Sequence, residues 1–206
     1  MPKKPAAPPQ IDHALVGERL RAARKARGLT LAQLSEQSGV AVSTISKAER
    51  ADIALTYDKF AALAHALEVD FADLFAQPGK ARTRRMTPCF TAAGTQPVYD
   101  TPNYDYGLIA HSLSGKRMVP IRARVRARSL AEFPDYIRHA GEEFVFLLSG
   151  TLRLEFENGS AYTLAPGDSL YFDSTIGHVY LSTGDAPAEA LVCCVDTGAH
   201  RGEGVI

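Results

Sequence analysis

Cysteine is scarce in this 206-residue sequence: there are three, and two of them, Cys193 and Cys194, are adjacent. An odd count with a neighbouring pair does not make a disulfide framework. A reducing compartment, the cytoplasm, is the expected location. Long apolar runs are also missing. FVFLL at 144–148 is among the longest and is far too short to cross a bilayer, so no membrane partner is expected. The N-terminal stretch MPKKPAAPPQ has two lysines followed by prolines rather than an apolar core. It reads as a disordered tail and not as a secretory signal. Net charge is lacking too, with 23 basic and 23 acidic residues.

That neutrality hides an asymmetry. Residues 1–86 carry 14 Lys and Arg against 9 Asp and Glu, and the remainder carries 9 against 14. A basic first part joined to an acidic second part implies that only the first part meets a polyanion. The periodicities divide the chain in the same way. Residues 1–12 are the expected tail. Residues 13–76 are helical in pattern and rich in Ala, Leu and Arg. Residues 77–97, with Pro and Gly at both ends and basic residues between, read as a linker. Residues 98–206 form a region with strand alternation and glycine turns. The expected fold is therefore an N-terminal all-α bundle of about five helices followed by a C-terminal all-β domain.

In the helical part, Gly28 ends a first helix with arginines around its outer face. Thr30 and Gln33 form a capping-box pattern that opens a second helix, and Gly39 makes a sharp turn. The third helix, VSTISKAER at 42–50, is polar except for Ile45 and Ala48, which are expected to face inward; Glu49 is expected to pair within the domain. Helix, glycine turn and helix within about twenty residues is a geometry that lays the second helix in a DNA major groove. Val42, Ser43, Thr44, Ser46 and Lys47 are short or flexible side chains able to reach base edges. A fourth helix is expected over 57–68 and a short fifth one at 71–75.

Leu29, Thr30, Leu34 and Ser35, then Ser38-Gly39-Val40, Ser43 to Lys47, Glu49-Arg50 and Leu63 to Val69 resemble the helix-turn-helix domain of the phage-repressor (Xre) family over about residues 13–75. The resemblance implies a double-stranded DNA operator as partner. It implies Thr30, Gln33, Val42, Ser43, Thr44, Ser46, Lys47 and Arg50 as contact residues. Two positions depart from the family pattern. Ala41 replaces a capping Ser or Thr, at a cost of roughly 1 kcal/mol. Ala51 replaces a glycine, at a similar cost of about 1 kcal/mol if the backbone there is left-handed.

In the second part, short strands recur at a density that suggests an antiparallel sandwich or barrel. Along 137–147, alternation puts Ile137, His139, Glu143, Val145 and Leu147 on one face if the chain stays extended through Ala140–Gly141. Leu152, Leu154 and Phe156 face the core, and His178 shares a face with Tyr180. Arg122, Arg124, Arg126 and Arg128 line one side of a strand, either as a binding stripe or as a solvated face that blocks edge pairing. Cys193 and Cys194 read as buried strand residues.

The run His139-Ala140-Gly141-Glu142-Glu143, with Gly150 seven residues after the carboxylate, and Pro166-Gly167-Asp168 with His178 downstream, resembles the cupin superfamily, a small β-barrel or jelly roll, over about 104–196. The family's first metal-binding histidine is absent: Ile137 stands there. The resemblance implies a pocket of Tyr104, Tyr106, His139, Glu143, Phe172, His178 and Tyr180. His139, Glu143 and His178, two imidazoles and a carboxylate, can hold one divalent metal ion such as zinc, iron or nickel with open positions. Alternatively, they only hydrogen-bond inside a metal-free pocket.

The two domains in this order resemble a group of bacterial transcription regulators in which the cupin senses a small molecule. The expectation is a non-enzymatic regulator with no catalytic residues, a DNA operator, a small-molecule effector and a homodimer on a two-fold site. The same order and a similar His-Ala-Gly-x-Glu stretch also resemble the iron-dependent hydroxypropylphosphonate epoxidases, which makes a cupin-type non-haem iron oxygenase the alternative. The recognition-helix pattern from Ser43 to Arg50 favours the regulator.

Overall fold

The computed structural model describes residues 8–75 and 88–195. Most of the expected tail, the 77–87 part of the expected linker and the last eleven residues lie outside them.

Asp12 caps helix α1 (His13–Ala26) by accepting from the Ala14 amide at 2.9 Å. Helix α2 (Leu31–Ser38) opens on the expected capping box. Thr30 Oγ1 accepts from the Gln33 amide, and Gln33 Oε1 accepts from the Thr30 amide. Gly39, at φ 71°, turns the chain into α3 (Val42–Glu49), whose N-terminal Ala41 supplies no side-chain cap. Helix α4 (Tyr57–Leu67) and a single-turn α5 (Phe71–Leu74) complete the bundle. Leu20, Leu34, Ile45, Leu55, Leu63 and Leu67 are its core. Arg24 and Glu49 form a buried fork, Nε to Oε1 at 2.6 Å and Nη2 to Oε2 at 2.7 Å, which fastens α1 to the end of α3. Ala51 does sit at φ 59°, where a Cβ is disfavoured.

The second domain has nine antiparallel strands: β1 (Val98–Asp100), β2 (Tyr104–Leu108), β3 (Met118–Val125), β4 (Glu142–Ser149), β5 (Leu152–Phe156), β6 (Ala161–Leu164), β7 (Ser169–Asp173), β8 (His178–Ser182) and β9 (Ala188–Val195). Six form one sheet in the order β1-β2-β3-β9-β4-β7, and three form another, β6-β5-β8. Alternation explains the layering. Ile121, Ala123 and Val125 of β3, Val145 and Leu147 of β4, Leu152 and Leu154 of β5, and Ala190 and Val192 of β9 are all buried. Gly141, at φ 108°, carries the chain into β4 and keeps His139 and Glu143 on the inner face.

The helical bundle is docked on the edge of the larger sheet. The Leu55 amide donates to the Tyr99 hydroxyl of β1 at 2.8 Å. His13 stacks on Tyr99 with ring centroids 4.6 Å apart and pairs with Asp100 at 3.0 Å. Phe60 and Phe75 meet Tyr99 edge-on. Asp70 accepts from the Gly115 amide. Burial of the Tyr99 phenol pushes its pKa up to about 12, so it stays protonated. One expectation is corrected here: residues 8–12 are not a free tail. The Val98 amide donates to Pro9 and the Ile11 amide to Val98, because the exposed edge of β1 offers unpaired backbone groups.

Two substitutions check this account by urea denaturation. Ala51→Gly relieves the left-handed backbone and raises stability by about 1 kcal/mol. Glu49→Ala strands the Arg24 guanidinium and lowers stability by about 2–3 kcal/mol.

Candidate functional site

A small cavity lies between the two sheets, and the helical domain contributes to its wall. Its volume is about 40 Å³. Ile121, Ala123 and Val125 of β3, Val192 of β9 and Ile137 give it an apolar wall. Its polar lining comes from Tyr104, Tyr106, His139, Glu143, His178, Tyr180 and Cys194, and Tyr57 enters from α4.

Glu143, 3% exposed, is the hub. Its Oε2 accepts from His139 Nε2 at 2.7 Å, and its Oε1 accepts from the Tyr180 hydroxyl. Cys194 Sγ lies 3.6 Å from Oε2, as Glu143 and Cys194 are direct register partners on β4 and β9. His178 Nε2 also lies 3.6 Å from Oε2. The other nitrogen of His178 donates to the Ile176 carbonyl at 2.9 Å. A carbonyl only accepts, so in the neutral ring Nδ1 holds the proton and Nε2 turns a lone pair into the cavity.

Burial pushes the Glu143 pKa up. The hydrogen bond from His139 and the charges of His178 and His139 more than offset this, and the net pKa lies below the ordinary carboxylate value. Burial holds the His178 pKa down. Burial also raises the pKa values of Tyr104, Tyr106, Tyr180 and Cys194, so the phenols remain donors. The cavity therefore contains one carboxylate, and no Lys or Arg lines it.

Six of the seven expected pocket residues line this cavity. Phe172 does not. It packs edge-on against His178, ring centroids 4.9 Å apart, and against Phe156, so it backs the imidazole from behind. Two polar lining residues, Tyr57 and Cys194, were not expected as pocket members. Cys194 was legible in principle, because Val192 and Ala190 share its parity along β9. Tyr57 was not, because its place depends on how the domains dock. Its ring meets His139 edge-on at 4.9 Å, and its hydroxyl is hydrogen-bonded to Cys194.

On α3, Val42 (43% exposed), Ser43 and Lys47 are exposed on the outer face, with Thr44 and Ser46 half-buried beside them. Ile45 and Ala48 point inward. Arg50 donates to Ser46 Oγ at 2.6 Å and pairs with Asp52. Thr30 and Gln33 are exposed and engaged in their mutual cap. The arginine stripe on β3 and just beyond is largely paired. Arg122 meets Glu189, Arg126 meets Asp105, and Arg128 donates to the Gly184 and Asp185 carbonyls. This favours a solvated face over a binding stripe.

Comparison with known proteins agrees with this division. A helix-turn-helix family profile matches residues 20–74, and a cupin domain profile matches residues 130–194. The chain joins an Xre-type helix-turn-helix domain to a cupin domain. An HTH_3 family transcriptional regulator from Vibrio cholerae is similar to this helix-turn-helix–cupin protein in fold, with a TM-score of 0.60 at 18% identity. The match covers 89% of this chain and 97% of that one. Hydroxypropylphosphonic acid epoxidase from S. wedmorenis aligns at 19% identity over 88% of this chain and 97% of its own, with a TM-score of 0.45. No curated protein sequence matches significantly. No helix among the described residues is long and apolar enough to cross a membrane.

The buried cupin groups make a pH prediction for chelator-treated protein. The pKa of His178 is lower in the folded state than in the unfolded chain, so the unfolded chain binds its proton first. Stability falls as pH drops below about 6.5. The depressed Glu143 pKa adds a further loss at more acidic pH, as that carboxylate is protonated. Thermal melts from pH 7.5 to 5 show a falling midpoint, and His178→Asn flattens the upper part of that slope.

Proposed function

We propose that this protein is a transcription regulator that binds double-stranded DNA through α3 and senses a small molecule or ion in its cupin cavity. The observation that carries this reading is Tyr57. It is the first residue of α4 in the helix-turn-helix domain, yet its side chain forms part of the cavity wall. An occupant larger than a few waters must push against it. Occupancy is thereby linked to the docking of the DNA-binding domain. The link works only if the effector prefers one docking geometry over the other.

On DNA, Lys47 and neighbouring basic groups supply phosphate contacts, while Val42, Ser43 and Thr44 face the base edges. Ser46 and Arg50 hold each other in place, and Thr30 and Gln33 present the amino end of α2 to the backbone. A single module of this size is small for a specific complex, so a homodimer on a two-fold operator is proposed.

A second reading, an iron-dependent oxygenase, has the two imidazoles and one carboxylate in its favour. Against it stands the cavity volume. With Tyr57 in place, about 40 Å³ accommodates an ion and a water but no organic substrate beside them.

The test is binding to DNA from the protein's own promoter region as a function of salt. Lys47→Ala weakens binding to all sequences and reduces the slope of log K against log salt by about 1. Ser43→Ala with Thr44→Ala relaxes sequence preference and leaves that slope unchanged. Tyr57→Ala preserves DNA binding and abolishes its response to effector. Salt-insensitive or absent binding would sink the regulator reading, and substrate-dependent oxygen uptake by the iron-loaded protein would establish the oxygenase.

A further inference from the structure

Three side chains converge on one carboxylate oxygen in the cavity. Glu143 Oε2 accepts from His139 Nε2 at 2.7 Å and lies 3.6 Å from both Cys194 Sγ and His178 Nε2. His139, Glu143 and Cys194 each offer a ligand atom within 4.8 Å of the others. No Lys or Arg lines the cavity. Ile137, whose backbone is bridged to His178, lines the cavity without offering a donor atom.

We propose that the cavity binds a divalent transition-metal ion of the zinc class on His139, Glu143, His178 and the Cys194 thiolate. Cys194 takes the coordination position for which Ile137 has no donor. The strand register places it there. Glu143 and Cys194 are opposite one another on β4 and β9, and both point inward. Cys193, one residue earlier, is on the outer face, half-buried. A thiolate among imidazoles selects zinc or cobalt over magnesium, calcium or manganese. The volume of about 40 Å³ suits an ion with one water. As the ion enters, the Cys194 thiol proton leaves to solvent. The hydrogen bond from Tyr57 to Cys194 places the helix-turn-helix domain one contact from the metal. Only the biological use of this site rests on the sensor reading; the ligand set does not.

The experiment uses full-length protein in a Cys89→Ser, Cys193→Ser background, stripped with chelator and titrated anaerobically with Co(II). The expected result is about one equivalent bound, with an intense near-ultraviolet thiolate-to-cobalt band. Adding Zn(II) bleaches the band. Further substitution of Cys194→Ser removes the band and weakens Co(II) binding roughly tenfold or more. Binding without the band, a band that survives Cys194→Ser, or no binding at micromolar Co(II) each overturns the proposal. The band is read before Cys194 is altered, so a folding defect in the last variant leaves the test intact. Salt-sensitive DNA binding by the stripped protein is measured separately, so loss of one reading is distinguishable from loss of the other.

Discussion

The chain entering helix α4 turns two backbone amides, those of Leu55 and Tyr57, toward the cupin domain. The Leu55 amide donates to the Tyr99 hydroxyl, and the Tyr57 amide is hydrogen-bonded to the Tyr106 hydroxyl. The cupin domain thus caps a helix of the DNA-binding domain, and unpaired buried amides are costly enough to make that cap hold. Tyr57 then has little choice of direction. Its backbone is pinned to β2, and its ring lines the cavity edge-on to His139. The contact of the cavity with the helical domain follows from this junction.

Within the cavity, Glu143 plays the organising part. A carboxylate taken out of water must be repaid by hydrogen bonds or charges. His139, Tyr180 and the Cys194 thiol provide the hydrogen bonds, and His178 stands 3.6 Å away. The bundle carries a parallel feature at Glu49, where Arg24 satisfies the carboxylate fully with a two-point fork. That pair is closed and structural. The two carboxylates differ in their partners, a guanidinium for Glu49 and imidazole, phenol and thiol groups for Glu143.

Much of the molecule could be read along the chain. The capping box at Thr30 and Gln33, the glycine turn at Gly39, the missing cap at Ala41 and the left-handed Ala51 depend on neighbours within a few residues, and all were found as expected. The inward face of Glu143, Val145 and Leu147 followed from the two-residue repeat of a strand, whereas His139 lies before β4 and reaches the same face through the turn at Gly141, φ 108°, and not through the extended path expected there. Phe172 shows the limit of that logic. Strand parity places it on the inner face, but whether an inner residue lines a cavity or packs behind one is decided by its neighbours across the sheet, here Phe156 and His178. Residues 8–12 show another limit. Proline-rich composition suggested a free tail, and an open strand edge on β1 captured it.

Local spacing therefore determined the helical and strand regions and the outward face of α3 from Val42 to Lys47, while the cupin motif resemblance singled out His139, Glu143 and His178. These signals are short-range, because helix and strand periods repeat over a few residues. Only the tertiary structure decided that Cys194 stands opposite Glu143, a matter of register between strands fifty residues apart. Docking alone put Tyr57, a residue of the DNA-binding domain, into the wall of the cupin cavity. Both facts depend on which surfaces meet, and no period along the chain encodes that.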